Sequence, residues 1–287
     1  MLKRIAIRMA AIVVTILIGL LVSATLVRMA PGFDSDEHQL DSRLSADTIA
    51  ALKADKLANR NLLSFYATYI AHALHGDLGR SSALGTPVSE LIRQRAGQTF
   101  RTCGSGLALG CGIGFLFAFA TGIARASGLD LLFGSIATLS LCIPIAALAL
   151  IFVLLRVPAG LAIATVIYPV VYRYARNILV RTLSMPHVIT ALAKGSGPIR
   201  ILICHIIPVC AGQFLAIAGI SVSLALSASI AIESLCGIPG LGQLAWQSAL
   251  ARDLPVLVTL TALIAVVTIL ANSLSDLVPP TVRSQGS

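Results

Sequence analysis

The chain has 287 residues, 57% of them hydrophobic and 11% charged, with a formal net charge of +9 at pH 7 and a mean hydropathy of +0.91. A water-soluble globule of this size cannot hide so much apolar surface, so the composition excludes a soluble enzyme or binding domain and makes the bilayer the solvent. The basic excess reads as cytoplasmic retention and contact with anionic headgroups, not nucleic-acid binding, because no aromatic and basic interleaving accompanies it.

Crossing about 30 Å of hydrocarbon takes roughly 20 apolar residues as helix. Six runs serve: Met9–Val27, Gly104–Ala124, Leu131–Leu155, Leu161–Ala175, Val209–Ile232 and Val256–Leu274. The expected fold is an all-α membrane protein with six transmembrane helices, 1–287 forming a single transmembrane domain. Lys3, Arg4 and Arg8 precede the first run as they would a secretory signal. Its apolar part exceeds the roughly 7 to 15 residues of a signal core, and it is read as a retained helix.

Pro31-Gly32 ends that helix, and 31–95 forms a small polar insert. Within it, Ser45–Leu57 and Asn61–His75 carry helical periodicity, with Leu62, Phe65, Tyr66, Tyr69 and Ile70 on one face. His72 and His75, followed by Asp77, lack a further clustered ligand. They read as a surface helix, and no metal site is expected.

The second run contains Gly106-x-x-x-Gly110-x-x-x-Gly114, a spacing that lets two helix backbones approach closely. The fourth is short unless Tyr172 to Leu183 extends it. Between the fourth and fifth lies a polar loop, 184–205, with a short helix expected at Met185 to Lys194 and glycines at 195 and 197. Ser221, Ser223, Ser227 and Ser229 in the fifth run are read as packing or intrahelical hydrogen bonds. The segment 233–255 reads as a hairpin, with a turn at Pro239-Gly240-Leu241-Gly242 entering a short amphipathic helix, Gln243 to Ala251. The six cysteines show no metal-ligand spacing and read as small packing residues.

Orientation follows from Lys and Arg in short loops. With the N-terminus inside, the cytoplasmic set is Lys3, Arg4, Arg8, Arg125, Arg173, Arg176, Arg181, Lys194, Arg200 and Arg283, against Arg156 and Arg252 outside. Both termini are therefore expected in the cytoplasm, with the insert and the hairpin on the other side.

No catalytic residue is expected. The chain has no phosphate-cradling Gly-Lys-Ser/Thr, no His-Glu-x-x-His and no Gly-x-Ser-x-Gly. Asn272 and Asp276 stand out as polar groups near the end of the last span, too few for a proton relay, so the energy for any transport should come from other chains. A membrane-bound enzyme and a non-transporting membrane scaffold are the competing classes.

Three groups of residues carry a resemblance over nearly the whole chain. They are Gly76-Asp77-Leu78-Gly79-Arg80-Ser81 with Pro87-Val88 and Ile92, then Thr190-Ala191-Leu192-Ala193-Lys194-Gly195 with His205. The third is Glu233 with Pro239-Gly240-Leu241-Gly242-Gln243-Leu244, Arg252-Asp253-Leu254-Pro255, and Asn272 with Asp276. In this order the chain resembles the permease subunit of a binding-protein-dependent ABC importer of the dipeptide, oligopeptide and nickel type. It departs from that pattern in Leu192, which replaces a basic residue, and in Pro198 and Pro208.

The resemblance implies an importer subunit that forms half of a pathway for peptides, with nickel or another small solute as the alternative cargo. It implies a second homologous permease as a heterodimer partner, two ATPase subunits carrying ATP and magnesium, and an extracytoplasmic substrate-binding protein. No cofactor is expected in this chain, and the implied location is the inner, cytoplasmic membrane, as a multi-pass protein. Thr190, Ala191, Ala193, Lys194, Gly195, Arg200 and His205 are the implied ATPase-coupling residues. Glu233, Pro239, Gly240, Gly242, Arg252 and Asp253 are implied on the outer gate or binding-protein side, with a hairpin-stabilising role favoured for Glu233 and a hairpin-stabilising or binding-protein-facing pair read in Arg252 and Asp253.

Overall fold

A computed structural model of the chain describes residues 76–124 and 127–273, together with Val14, Ile18, Gly19 and Thr25. The first apolar run is otherwise outside the described residues. So are the two helices expected in 31–75, the His72 and His75 pair, Arg125, Asp276 and the C-terminal end.

The described residues form helices and no strand. In chain order they are α1 Val88–Ala124, α2 Ser127–Cys142, α3 Ile145–Leu154, α4 Ala159–Leu183, α5 Pro186–Ala193 and α6 Pro198–Ile201. A π-helical turn, Leu202–Ile206, leads into α7 Ile207–Leu235, followed by α8 Leu241–Leu250 and α9 Leu254–Ser273. Three stretches, Val88–Gly122, Pro198–Leu235 and Leu254–Ser273, are long and apolar enough to cross a membrane. A fourth span arises if α2 and α3 are counted together. α4 has the length, 25 residues, but Arg173, Arg176 and Arg181 dilute its second half. It does extend through Tyr172 to Leu183, the condition under which the fourth run becomes long enough.

The third run departs from expectation. Leu131–Leu155 is not one straight helix but two, bent by 98° at Ile143-Pro144. Proline has no N–H to give to the ladder and disfavours helical geometry in the residue before it. Pro144 instead opens α3, its carbonyl accepting the Leu148 N–H at 3.0 Å.

By internal packing the chain divides into two units, one of residues 1–94 and 245–265, the other of 95–244 and 266–287. The core of the second is built on α4, whose Ile163, Ile167, Val171, Tyr172, Ala175 and Leu179 are buried. A 3.6-residue period puts these positions on one stripe. Against it α1 lays its glycines in constant register: a Cβ on Gly106, Gly110 or Gly114 would stand 2.5, 2.8 or 2.7 Å from Ile163, Ile167 or Val171. Numbers rise together along both helices, so they run parallel. In lipid, where no hydrophobic force draws helices together, such backbone approach supplies the packing.

The serines of α7 bond to their own helix, Ser221, Ser223, Ser227 and Ser229 donating to the carbonyls of Ile217, Gly219, Ser223 and Leu226. They form no polar track, as the sequence suggested. All six cysteines are free. Cys103 and Cys210 are buried packing residues, whereas Cys142 and Cys204 are exposed, so the packing role does not extend to those two.

Candidate functional site

The loop between α4 and α7 is built from α5, a glycine turn and the π-helical turn. Pro186 starts α5 at its first position, where a missing N–H costs nothing. Gly195, at φ +76°, ends it. The Gly195 N–H donates to the Leu192 carbonyl at 2.9 Å and the Ser196 N–H to the Ala191 carbonyl at 3.1 Å, the paired bonds of a Schellman cap. Only a residue without a Cβ takes that left-handed conformation at little cost. The helix covers Val188 and Ala191 but leaves Ile189 53% and Leu192 42% exposed.

Around it the sequence-derived coupling residues separate into two groups. Thr190, Ala193, Lys194, Gly195 and Arg200 are exposed, while Ala191 packs inward. The Thr190 hydroxyl donates to the Pro186 carbonyl at 2.8 Å. His205 lies in the π-helical turn, and its Nδ1 is buried with no hydrogen-bond partner among the described residues.

At the far end of α7 the chain turns through Gly237, φ +65°, into α8. Helix α8 starts at Leu241, two residues ahead of the expected Gln243. Its first amides have no intrahelical acceptors, and side chains from other elements supply them. The Leu241 N–H donates to Thr99 Oγ1 at 2.7 Å. The Gly242 N–H donates to Glu233 Oε2 at 2.8 Å, and the Thr99 hydroxyl reaches the same oxygen at 3.1 Å. Glu233 is 0% exposed, and its Oε1 finds no partner among the described residues. The Glu233 carboxyl group thus sits at the N-terminal end of α8 as the acceptor for one of its first amides. Gly242 also lies against the backbone of Ser229, at 2.6 Å for an added Cβ. Glu233, Gly240 and Gly242 are therefore brought together, with Pro239 in the turn between them.

In the other unit, Asp253 precedes α9 and is 1% exposed. Its carboxylate accepts hydrogen bonds from the Ser81 hydroxyl, from the Ser82 N–H at 3.2 Å and from the Ala83 N–H at 3.3 Å. Ser81 Oγ in turn accepts from the Leu84 N–H at 2.9 Å. The Asp253 carboxylate holds the turn after Gly79 in shape, and Leu84 at its tip is exposed. Arg252, beside it, has φ +54°, a conformation in which non-glycine residues are uncommon.

Sequence reasoning missed the pair that joins α2 to α4. Asp130, in the first turn of α2, forms an ion pair with Arg176 of α4 and accepts a hydrogen bond from the Tyr172 hydroxyl at 3.1 Å. The signal was present: an acid one residue ahead of the third apolar run, and Arg173 and Arg176 inside the fourth segment.

The family model for binding-protein-dependent transport system inner membrane components matches residues 110–284. A Brucella suis biovar 1 protein that carries a peptide-permease name is 28% identical over 295 residues, covering 91% of this chain and 92% of the relative. A peptide transport system permease of Brucella abortus is 25% identical, over 96% of this chain and 97% of the relative. The dipeptide transport system permease protein of Lactococcus lactis subsp. cremoris is 24% identical, over 99% of this chain and all of the relative, 100%. With more than half of its length matched by that model, and with its described residues folded into long apolar helices, the chain belongs to the family of binding-protein-dependent transport system inner membrane components.

Proposed function

We propose that this chain is the permease subunit of an ATP-driven peptide importer. It forms half of the translocation pathway, beside a second, similar permease, and takes its energy from two separate ATPase subunits that carry the nucleotide and magnesium. An extracytoplasmic binding protein delivers the cargo. The peptide reading is supported by the names of relatives that align over nearly the whole chain.

The observation that carries the coupling part of the reading is α5. A short helix between two long ones, with Ile189 and Leu192 uncovered and a rigid glycine cap behind it, has the form of a lever awaiting a socket. Its basic neighbours Lys194 and Arg200 are exposed beside it. This reading places 184–205, and both termini, in the cytoplasm of a six-span subunit in the inner membrane. The 233–255 hairpin and the turn held by Asp253 lie on the opposite side, towards the binding protein.

The test is gentle purification of the chain from its native membrane, with mass spectrometry of what accompanies it. Recovery of a second permease and ATPase subunits is expected. Reproducible recovery of the chain alone, under conditions that keep other importers whole, overturns the importer reading in favour of a scaffold.

A further inference from the structure

Between α2 and α4 the described residues leave an open cavity of about 640 Å³. Asp130, Tyr172, Arg173, Arg176, Asn177 and Thr138 are among its walls. One wall is already satisfied, because Asp130 pairs with Arg176 and takes the Tyr172 hydroxyl. Arg173 and Asn177 are different: they share a face of α4 at i and i+4, both are exposed, and neither has a partner among the described residues. The ionised lining therefore keeps one positive charge in excess, presented beside a carboxamide donor.

Arg173 belongs to the basic set expected at the cytoplasmic end of the spans, where a cargo leaving the pathway would pass. Arg173 lies ten residues before the end of α4, about 15 Å along the axis at 1.5 Å per residue. An ionised group beside apolar helices is expensive against lipid and is served by a water-filled groove. The exposed Thr138 and Ser135 continue the wall along α2. The charge disfavours a divalent cation as occupant. An arginine fork with a neighbouring amide suits a carboxylate, which it can hold by paired N–H bonds.

We propose that the groove between α2 and α4 is a cargo-contact site that takes the carboxylate of a peptide, with the Arg173 guanidinium and the Asn177 carboxamide as its donors. The proposal rests on the peptide-importer reading and adds to it where in this chain, and by what group, cargo is held. The Asp130–Arg176 pair fixes the wall on which Arg173 stands and keeps the site from carrying two uncompensated charges.

The experiment uses the complete co-purified transporter in proteoliposomes with its binding protein. ATP-dependent uptake is measured for a mixture of tri- to pentapeptides and for the same mixture amidated at the C-terminus. A charge-assisted hydrogen bond predicts a preference for free carboxylates of about tenfold or more. Arg173→Gln should lower that ratio about tenfold from the unaltered transporter's, and Arg173→Lys, which keeps the charge, should restore most of it. The binding protein is common to all samples, so its own preference cancels in the comparison. Should Arg173→Gln fail to assemble, the ratio is read in Asn177→Leu, which should lower it several-fold. An unchanged ratio in a transporting variant overturns this site alone. Absence of ATP-dependent uptake of either mixture by the unaltered transporter overturns the peptide reading and this site together.

Discussion

Glu233 lies directly under Gly240: a Cβ at position 240 would stand 2.1 Å from Glu233 Oε2 and 2.4 Å from its Cδ. The carboxylate that caps α8 is thus also the floor on which the preceding turn rests. Gly240→Ala should displace either the turn or the carboxylate, at about 1–3 kcal/mol for overpacking. The expected result is a lower melting temperature of the purified protein in detergent. A melting curve identical to that of the unaltered protein would remove the close contact from the account.

Asp253 predicts a local effect. Asp253→Ala leaves the buried Ser81 hydroxyl and two backbone amides without their acceptor, a loss of about 1–3 kcal/mol for each buried group left unsatisfied. Hydrogen exchange at Ser82 and Ala83 should quicken by at least tenfold, with α4 unaffected. Unchanged protection at those amides would mean that the turn holds its shape without the carboxylate.

The parallel contact of α1 and α4 predicts intolerance of bulk at its glycines. Gly110 stands where a Cβ would lie 2.8 Å from Ile167 and 3.1 Å from the Ala164 carbonyl. Gly110→Leu should force the helices apart and reduce the folded, membrane-extracted yield several-fold. Gly112, next to it with nothing within 4 Å of an added Cβ, should accept alanine without loss. Equal yields for Gly110→Leu and Gly112→Ala would refute the register.

Gly195 predicts a separation of folding from coupling. Proline there cannot adopt φ +76° and removes the N–H that caps α5, a defect of about 3 kcal/mol confined to the loop. Membrane insertion should remain, while cargo-stimulated ATP hydrolysis by the assembled complex is lost. Gly195→Ala, which carries only the left-handed penalty of about 1–2 kcal/mol, should lose it in part.

Much of this architecture was legible because apolar runs and glycine punctuation act locally. The short helix at 186–193 with its glycine stop, the close-packing glycines of α1 and the self-bonded serines of α7 all follow from near neighbours in sequence. The break at Pro144 was hidden because hydropathy is high on both sides of it, and a window that counts apolar residues does not register a missing N–H. Ser81 and Asp253 are 172 residues apart, and no periodicity relates them. Asp253, read from sequence with Arg252 as a hairpin-stabilising or binding-protein-facing pair, turns its carboxylate to the 81–83 loop, a partner the sequence did not name. Asp130 escaped notice for a similar reason, since its meaning depends on Arg176, 46 residues on.

The central claim is that α5 passes force to an ATPase through its uncovered apolar side. The most direct measurement is cargo-stimulated ATP hydrolysis of the co-purified complex carrying Ile189→Asp and Leu192→Asp, with ATPase retention read from the same preparation. Both side chains are exposed in this chain, so its own fold should survive the change. The account predicts loss of stimulated hydrolysis and release of the ATPase subunits. Full stimulation with the ATPases still bound would contradict it.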